Sequence, residues 1–465
     1  MKRVLYSIAT VLLFSILSIC VGVGCANIIP PEGGPRDSLP PVLLQVTPAD
    51  STLNFRSNRI VLQFNEYIDL QEVQSNLLFT PTFETVPVIE AKLRTITIRL
   101  KDSLEANTTY RFDFGNAIRD INENNILRDY VYTFSTGSYI DSLTLSGQVL
   151  LAESGTVDTT LTVVLHTDLD DSAVAKARPR YVARLNNTGN FTFNNMPADT
   201  FAIYVLGDAG IARRYTTKSQ LFAFAENPVT LPDTSRIQLY AYRETPALPV
   251  AAGTTAAQQK GEKRLLYTTN LTSNQQDLLT DLVFTFDRPL RFFDSTKVSF
   301  AFDSTYTPVS VYTTTLDTTK KVLTFQTAWQ PGQQYHLVLA KDFAEDTLGR
   351  QLLKADTVSF ATRSQQDYGS LNIRLRNIDS TLNPVLQFVQ NEKVVFSVPV
   401  TSGFFNQQAF LPGDYDLRLL YDRNNNGKWD PGQFFDAKIQ PEIVKPIERK
   451  ITVKPALDNT FELTL

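Results

Sequence analysis

The chain has 465 residues, so we expect several domains, because single hydrophobic cores stop growing well below this length. Its formal net charge of −4, from 44 basic and 48 acidic residues, excludes the basic field that a nucleic-acid-binding protein needs. Both cysteines, Cys20 and Cys25, lie near the N-terminus, which excludes a disulfide framework or a cysteine-ligated metal site in the rest of the chain.

The N-terminus has the pattern of an export signal, in which two basic residues precede a long uncharged apolar run. Gly24 immediately before Cys25 resembles the lipobox of bacterial lipoproteins. This resemblance implies a signal peptide over residues 1–24 and a covalent lipid on Cys25. Two alternatives stay open: acylation of Cys20, and retention of the apolar run as an anchor, since about 20 apolar residues can span a bilayer.

Residues 25–40, which include "ANIIPPEGGPRDSLP", are rich in Pro and Gly and are predicted to form an extended tether. A cysteine followed by this kind of tether resembles the N-terminus of Bacteroidota lipoproteins that carry Ig-like domains. The resemblance implies a lipid anchor in the outer membrane of the cell envelope. Because no acidic cluster follows Cys25, the periplasmic side is favoured over the cell surface.

Strand signals begin after the tether, and their alternation of apolar and polar residues predicts strands with one buried face, as in a β-sandwich. Two regions, 41–138 and 264–364, carry the same order of strands. The offset between equivalent aromatic residues is nearly constant, which indicates a duplicated unit: Phe64 and Phe286, Tyr110 and Tyr335, Phe134 and Phe360. The segments "TPADSTLNF", "FNE" and "RDINENN" resemble the bacterial Ig-like domain of surface-layer proteins.

A second repeated pattern follows each of these regions. The segment "GNFTFNNMPADTFAIYVLGDAG" in the region 139–243 parallels "GFFNQQAFLPGDYDLRLLYDRN" in the region 365–465. Both resemble prealbumin-like sandwiches such as carboxypeptidase regulatory-like domains. Residues 244–263 are rich in Pro, Ala and Gly without alternation and are predicted to be a linker. We therefore predict an all-β protein with Ig-like and prealbumin-like β-sandwiches in A–B–A–B order after a lipoprotein signal peptide.

The segment "YDRNNNGKWDPGQ" in the last region matches the spacing of calcium ligands in an EF-hand loop, with Gly427 at the sharp bend. Gln433 replaces the glutamate that closes the EF-hand shell, so we expect a weak structural calcium site, with a Kd on the order of 10⁻⁴ to 10⁻³ M. The alternative is a plain turn between two strands, for which Asn-Gly is also favoured. The predicted oxygen donors are the side chains of Asp422, Asn424, Asn426 and Asp430 and the carbonyl of Lys428.

No catalytic motif of the GxSxG or HExxH type occurs, so we do not expect an enzyme, and His166 and His336 are predicted to be structural strand residues. We expect a non-catalytic, lipid-anchored scaffold or interaction module of the cell envelope. Its partners would be the membrane, through the lipid, and an envelope protein or glycan. The alternative is a carbohydrate-binding envelope lipoprotein, which requires an exposed pair of aromatic rings; the chain has only two tryptophans, Trp329 and Trp429.

Overall fold

The computed structural model describes residues 10–11, 36–207, 210, 212–232, 236–245, 264–302 and 305–465. The chain forms two compact units, Met1–Phe79 with Phe83–Ile140, and Thr80–Thr82 with Asp141–Leu465. Residues 1–9 and 12–24 of the predicted signal peptide, residues 25–35 of the tether with Cys25, and residues 246–263 of the linker lie outside the described residues.

Regular structure in the described residues is almost entirely strand, which confirms the predicted all-β fold class. The first unit contains sandwich 1, whose strands are β1 (Leu43–Thr47), β2 (Arg59–Phe64), β3 (Ile68–Leu70), β4 (Leu78–Thr80), β5 (Val88–Lys92), β6 (Thr95–Arg99), β7 (Thr109–Asp113), β8 (Ile118–Asp120), β9 (Ile126–Leu127) and β10 (Val131–Ser135). A four-residue helix, Val73–Asn76, lies between β3 and β4.

The second unit begins with sandwich 2, whose strands are β11 (Leu143–Leu151), β12 (Thr162–His166), β13 (Tyr181–Arg184), β14 (Asn190–Met196), β15 (Thr200–Leu206), β16 (Phe222–Phe224), β17 (Val229–Thr230) and β18 (Ile237–Ala241). Sandwich 3 follows, with β19 (Tyr267–Thr269), β20 (Gln275–Gln276), β21 (Leu282–Phe286), β22 (Leu290–Phe293), β23 (Val298–Phe302), β24 (Thr307–Pro308), β25 (Thr313–Leu316), β26 (Val322–Gln326), β27 (Gln334–Leu339), β28 (Ala344–Asp346) and β29 (Asp356–Thr362). Sandwich 4 ends the chain, with β30 (Gly369–Arg376), β31 (Pro384–Gln390), β32 (Lys393–Pro399), β33 (Phe404–Phe410), β34 (Gly413–Tyr421), β35 (Ile443–Val453) and β36 (Asp458–Thr464). Short helices in this unit span Ala173–Lys176, Ser295–Lys297, Gln365–Asp367 and Ser380–Leu382.

Sandwich 1 packs a sheet of order β1-β2-β6-β5 against a sheet of order β10-β7-β4. The alternation in β2 shows why: Ile60, Leu62 and Phe64 are fully buried, whereas Arg59 and Gln63 on the opposite face are exposed. Burial of one apolar face against a second sheet is the main source of stability for such strands. Sandwich 3 repeats this architecture with a sheet of order β19-β21-β26-β25 and a sheet in which β29, β27 and β23 are neighbours.

A buried aspartate at the end of a short strand is also repeated between sandwiches 1 and 3. Asp120 ends β8 and accepts backbone hydrogen bonds from Glu123, Asn124 and Asn125 at 2.6–3.0 Å. Asp346 ends β28 and holds the next turn in the same way, through the N–H groups two and four residues later. Each carboxylate therefore serves as the internal hydrogen-bond acceptor of a loop.

Sandwiches 2 and 4 share a different strand connectivity. In both, the first strand pairs antiparallel with one neighbour and parallel with the last strand, giving the orders β14-β11-β18 and β33-β30-β36. The opposing sheets, β13-β12-β15-β16 and β32-β31-β34-β35, also correspond strand for strand. Each of the four sandwiches has its own hydrophobic core. The division into domains with the boundaries given above stays a prediction.

Both histidines lie on strands. His336 on β27 pairs across the sheet with Ser359, whose Oγ is 2.8 Å from His336 Nδ1. His166 ends β12, is 2% exposed, and packs edge-to-face on the Tyr204 ring at a centroid distance of 5.8 Å. Its Nε2 atom has no hydrogen-bond partner. Burial lowers the pKa of His166 to about 4, and the nearby Asp168 carboxylate opposes this shift only in part.

This burial predicts that the protein loses stability on mild acidification. Between pH 6.5 and 4 the unfolded chain binds a proton at His166 that the folded chain does not bind, so the free energy of unfolding falls as the pH falls. The full loss is about 3 kcal/mol, reached below pH 4. His166→Gln removes this contribution, and urea unfolding across the pH range measures the difference. Parallel curves for the wild type and the variant would contradict the assignment.

Candidate functional site

The connection between β34 and β35 contains the predicted calcium-ligand residues, and we call residues 422–430 the Asp/Asn loop. Asp422 is fully buried, and its carboxylate accepts hydrogen bonds from the N–H groups of Asn426, at 3.3 Å, and Gly427, at 2.6 Å. Gly427 has a φ of 76°, a left-handed conformation that disfavours a side chain. Asp422, the first predicted ligand, is therefore hydrogen-bonded directly to the sharp bend at Gly427.

The structure brings the predicted side-chain donors together. The same oxygen of Asp430, Oδ2, accepts hydrogen bonds from the side-chain amides of Asn424 and Asn426, each at 2.6 Å. The amide oxygens accept from backbone: Asn424 Oδ1 from Asn426 N–H at 3.1 Å, and Asn426 Oδ1 from Lys428 N–H at 2.7 Å. The polar side chains of the loop therefore hydrogen-bond to other groups of the same loop, as the plain-turn alternative requires.

The donor set also suits a hard cation, because carboxylate, amide and carbonyl oxygens are the ligands that Ca²⁺ prefers. Asp422 and Asp430 are its two carboxylates, with Asn424, Asn426 and the Lys428 carbonyl as neutral donors. Across the described part of the chain, no group of three or more His, Cys, Asp or Glu side chains is placed to hold a metal ion. A site here would depend on two carboxylates and neutral oxygens.

The sequence analysis missed Glu442, which lies outside the Asp/Asn loop but contacts it. It is 2% exposed, and its carboxylate accepts the N–H of Arg423 at 2.8 Å and of Asp430 at 3.0 Å, so that it joins both ends of the loop. Its backbone carbonyl accepts the indole N–H of Trp429 at 2.8 Å. Glu442 lies well beyond the 12-residue window of an EF-hand, so a fixed-spacing search does not reach it.

Beyond the Asp/Asn loop, residues 433–444 dock sandwich 4 onto sandwich 2, and we call this segment the clasp. Phe434 is 2% exposed and lies among three aromatic rings of sandwich 2: Phe222 and Phe224 at centroid distances of 5.0 Å and Tyr204 at 5.6 Å. Phe435 stacks on Tyr215 at 5.8 Å. Aromatic clusters of this kind combine a large buried area with favourable ring geometry.

Polar contacts fix the register of the clasp on sandwich 2. The N–H of Phe434 donates to Glu244 Oε1 at 3.2 Å, and the Val444 N–H donates to the Ala152 carbonyl at 2.9 Å. The Gln440 amide donates to the Phe224 carbonyl at 3.1 Å. Because these bonds satisfy backbone groups, they specify one docked position as well as adding stability.

Glu244 is the main anionic group at this interface. Its side chain is 4% exposed, and it also accepts a hydrogen bond from Tyr215 Oη at 3.0 Å and forms an ion pair with Lys218 at 3.2 Å. Burial and the hydrogen bond to Glu244 raise the pKa of Tyr215 above its ordinary value. A second ion pair, between Lys438 and Asp171 at 2.7 Å, is half-exposed and contributes little.

A sequence signal for the clasp's docking surface does exist in sandwich 2. All three residues of β16, Phe222–Phe224, are buried, and six of the seven residues of β15 are buried as well. A strand that is apolar without alternation is covered on both faces. The core of sandwich 2 covers one face, and the clasp together with Tyr215, which stacks on Phe222 at 4.2 Å, covers the other.

The remaining predicted features have different outcomes. Cys25 lies outside the described residues. Gln433, at the twelfth EF-hand position, pairs through its backbone with Ile439 and so begins the clasp. Among the described residues, no helix has the length and apolar character needed to cross a bilayer.

Comparison with known proteins identifies one part of the chain. Residues 37–136, the region of sandwich 1, match the bacterial Ig-like domain, which confirms the Ig-like prediction there. No curated protein matches the chain. Solved structures that align with it include the Bacillus anthracis TIE protein, with 11% identity over 94% of this chain and 75% of that chain and a TM-score of 0.17.

Two further alignments are similarly distant. The major pilin subunit BcpA of Bacillus cereus aligns with 9% identity over 69% of this chain and 98% of that chain, with a TM-score of 0.16. The surface layer protein SbsC, domains 1–6, aligns with 10% identity over 89% of this chain and 67% of that chain, also with a TM-score of 0.16. Values this low do not connect the chain to the function of any of these proteins.

The packing of Phe434 predicts that its removal undocks the two sandwiches. Phe434→Ala should cost about 3–5 kcal/mol of docking free energy while leaving both hydrophobic cores intact. We expect an increased radius of gyration in small-angle X-ray scattering together with an unchanged strand signal in circular dichroism. The matched control is Phe404→Ala, because Phe404 is 66% exposed on β33. Identical scattering curves for the wild type and Phe434→Ala would show that the clasp does not hold the sandwiches together.

Proposed function

We propose that the protein is a non-catalytic scaffold of the bacterial cell envelope, anchored to the outer membrane by a lipid on Cys25. Its β-sandwiches contact an envelope protein or glycan, and the periplasmic side of the membrane is the favoured location. The observation that carries this proposal is the docking of sandwich 4 on sandwich 2 through the clasp. The clasp gives rigid geometry to modules that are far apart in sequence.

The docking favours a spacer of fixed shape over a flexible chain of domains. Phe434 and Glu244 are 190 residues apart in the sequence, and sandwich 3 lies within the intervening segment. Closing such a long segment costs conformational entropy, which the buried aromatic contacts and backbone hydrogen bonds must offset. A scaffold that presents surfaces at defined positions benefits from this rigidity.

The sequence of the N-terminus supports the location. A basic start, an apolar run and Gly24 before Cys25 are the features that signal peptidases and acyl transferases recognise in lipoproteins. More than one acyl chain is needed for stable anchoring, which lipoprotein maturation supplies.

The alternative function, carbohydrate binding through an exposed pair of aromatic rings, has less support. Trp329 packs edge-to-face on Phe300, Tyr335 and Phe360 within sandwich 3. Trp429 packs on Val385, Leu420 and Val444 within sandwich 4. The two tryptophans therefore belong to different sandwiches and do not form a shared stacking surface.

We also propose a structural calcium ion in the Asp/Asn loop. Asp422, Asn424, Asn426, Asp430 and the Lys428 carbonyl would hold it, replacing the two amide hydrogen bonds that Asp430 now accepts. The ion would supply positive charge between two carboxylates and would rigidify the loop from which the clasp extends. Its role would be structural.

Lipidation is tested by metabolic labelling with radioactive palmitate. We expect label in the wild-type protein and in Cys20→Ala, and none in Cys25→Ala, because only Cys25 follows a small residue that a signal peptidase can accommodate. Absence of label from the wild type, or equal labelling of Cys25→Ala, would refute the anchor.

Calcium binding is tested by thermal and urea unfolding with and without the ion. At 10 mM Ca²⁺ and a Kd on the order of 10⁻⁴ to 10⁻³ M, the free energy of unfolding should rise by about 1–3 kcal/mol. Asp430→Asn keeps the hydrogen-bond acceptor but removes the charge, so it should abolish the gain. Asp436→Asn is the control, since Asp436 is exposed on the clasp. If Ca²⁺ does not change the free energy of unfolding of the wild type, the calcium site is refuted and the loop is a plain hydrogen-bonded turn.

A further inference from the structure

A groove of about 1450 Å³ lies between sandwich 4 and sandwich 2, beside the clasp. Its floor is the outer face of the sheet β32-β31-β34-β35, and its opposite wall is the connection from Leu151 to Thr159. The proposed scaffold function makes no use of this groove. Clefts between domains are common locations for binding sites.

Gln387 marks the centre of the floor. It lies on β31 with its neighbours Leu386 and Phe388 buried in the core, so its side chain is on the groove face of the sheet. The residue is 4% exposed, yet its amide forms no hydrogen bond with any described residue. Its polar atoms are accessible from the groove, so a ligand there can hydrogen-bond to them.

Arg418 lies directly opposite Gln387 on β34. It is half-buried in the groove, and its guanidinium has no ion pair or hydrogen bond within the described part of the chain. Guanidinium groups bind carboxylates strongly because two parallel N–H groups match the two carboxylate oxygens. Arg418 can therefore bind a carboxylate, and the neighbouring Gln387 amide can hydrogen-bond to an adjacent hydroxyl.

Hydroxyl groups also line the groove. Ser397 lies opposite Gln387 on the other side, on β32. Ser154, Thr156 and Thr159 line the wall contributed by sandwich 2, and the hydroxyls of Ser154 and Thr156 are hydrogen-bonded to each other at 2.6 Å. The Trp429 ring, partly exposed, adds an apolar surface at one end. Such a mixture of short hydroxyls, an amide and a ring suits a ligand that is itself rich in hydroxyl groups.

Acidic and basic residues are equal in number around the groove; among them Glu244 is paired with Lys218, and Arg243 donates to the Ser219 carbonyl. Lys393 and Lys428 are exposed at the groove, and the acidic residues Glu153 and Glu392 are exposed as well, at its rim. Asp158 is held by the backbone and hydroxyl of Thr160. Half-buried charges act more strongly than exposed ones, because solvent screens the latter. Arg418 therefore dominates the recognition of charge.

We propose that this groove binds an acidic oligosaccharide, with a sugar carboxylate on Arg418 and neighbouring hydroxyls on Gln387 and Ser397. An extended acidic peptide would also bind the arginine, but it offers fewer hydrogen-bonding groups per unit length to Gln387 and Ser397 than a sugar ring with several hydroxyls. The inference rests on the proposed docking of sandwich 4 on sandwich 2, since both supply walls of the groove.

The test is fluorescence titration of the full-length protein carrying Trp329→Phe, which leaves Trp429 as the sole tryptophan reporter. The probes are a trimer of galacturonic acid, the uncharged trimer of galactose and the peptide triglutamate. We expect saturable binding of the acidic trisaccharide, with at least tenfold weaker binding of the other two probes. Arg418→Gln should weaken binding of the acidic trisaccharide at least tenfold.

Arg374→Gln is the matched control, because Arg374 lies on β30 in the opposite sheet and stacks over Phe404. It should bind as the parent does. Equal or tighter binding of triglutamate, an unchanged affinity in Arg418→Gln, or no binding of the acidic trisaccharide would overturn the proposal. Small-angle scattering of the same samples separates this failure from a failure of docking, because an undocked protein would have the larger radius of gyration of Phe434→Ala.

Discussion

Burial of Phe434 in the aromatic pocket of sandwich 2 is the contact on which the organisation of the second unit depends. Tandem sandwiches ordinarily contact only their neighbours in sequence, and their relative positions are then set by short linkers. Here the chain leaves sandwich 2, forms sandwich 3, and returns from sandwich 4 to the surface that it left. The pocket is lined by strands whose other face is already committed to a core, so its shape is rigid.

The Asp/Asn loop and the clasp are consecutive parts of one connection, and their chemistry is linked through Glu442. Its carboxylate accepts hydrogen bonds from N–H groups at both ends of the loop. Because Glu442 lies just before β35, these bonds also fix where the clasp returns to the sheet. A buried carboxylate that accepts two backbone N–H groups is a strong constraint, since removal of it leaves both donors unsatisfied. An ion in the loop would add to this constraint without creating it.

Strand alternation and the internal repeats made the all-β class predictable, because a period of two with one buried face needs only local sequence. Within the Asp/Asn loop the side chains of Asn424 and Asn426 contact Asp430, whereas calcium binding there stays a prediction. Glu442 and the clasp were not predictable in the same way. Glu442 contacts the loop from 12 and 19 residues away, outside any fixed-spacing motif. The partners of the clasp lie 190 and 216 residues away, and Phe222 and Tyr204 have the composition of ordinary core residues. Only the lack of alternation in β15 and β16 indicates that a second surface covers them.

Hydrogen exchange of the inter-sandwich amides tests the central claim most directly. The N–H groups of Phe434 and Val444 donate to residues of sandwich 2, whereas the N–H groups of β34 donate within sandwich 4. If the clasp joins both sandwiches into one unit, the amides of Phe434 and Val444 should be protected from exchange to nearly the same degree as those of β34. Exchange of these two amides at the rate of an unprotected loop, while β34 stays protected, would contradict the account.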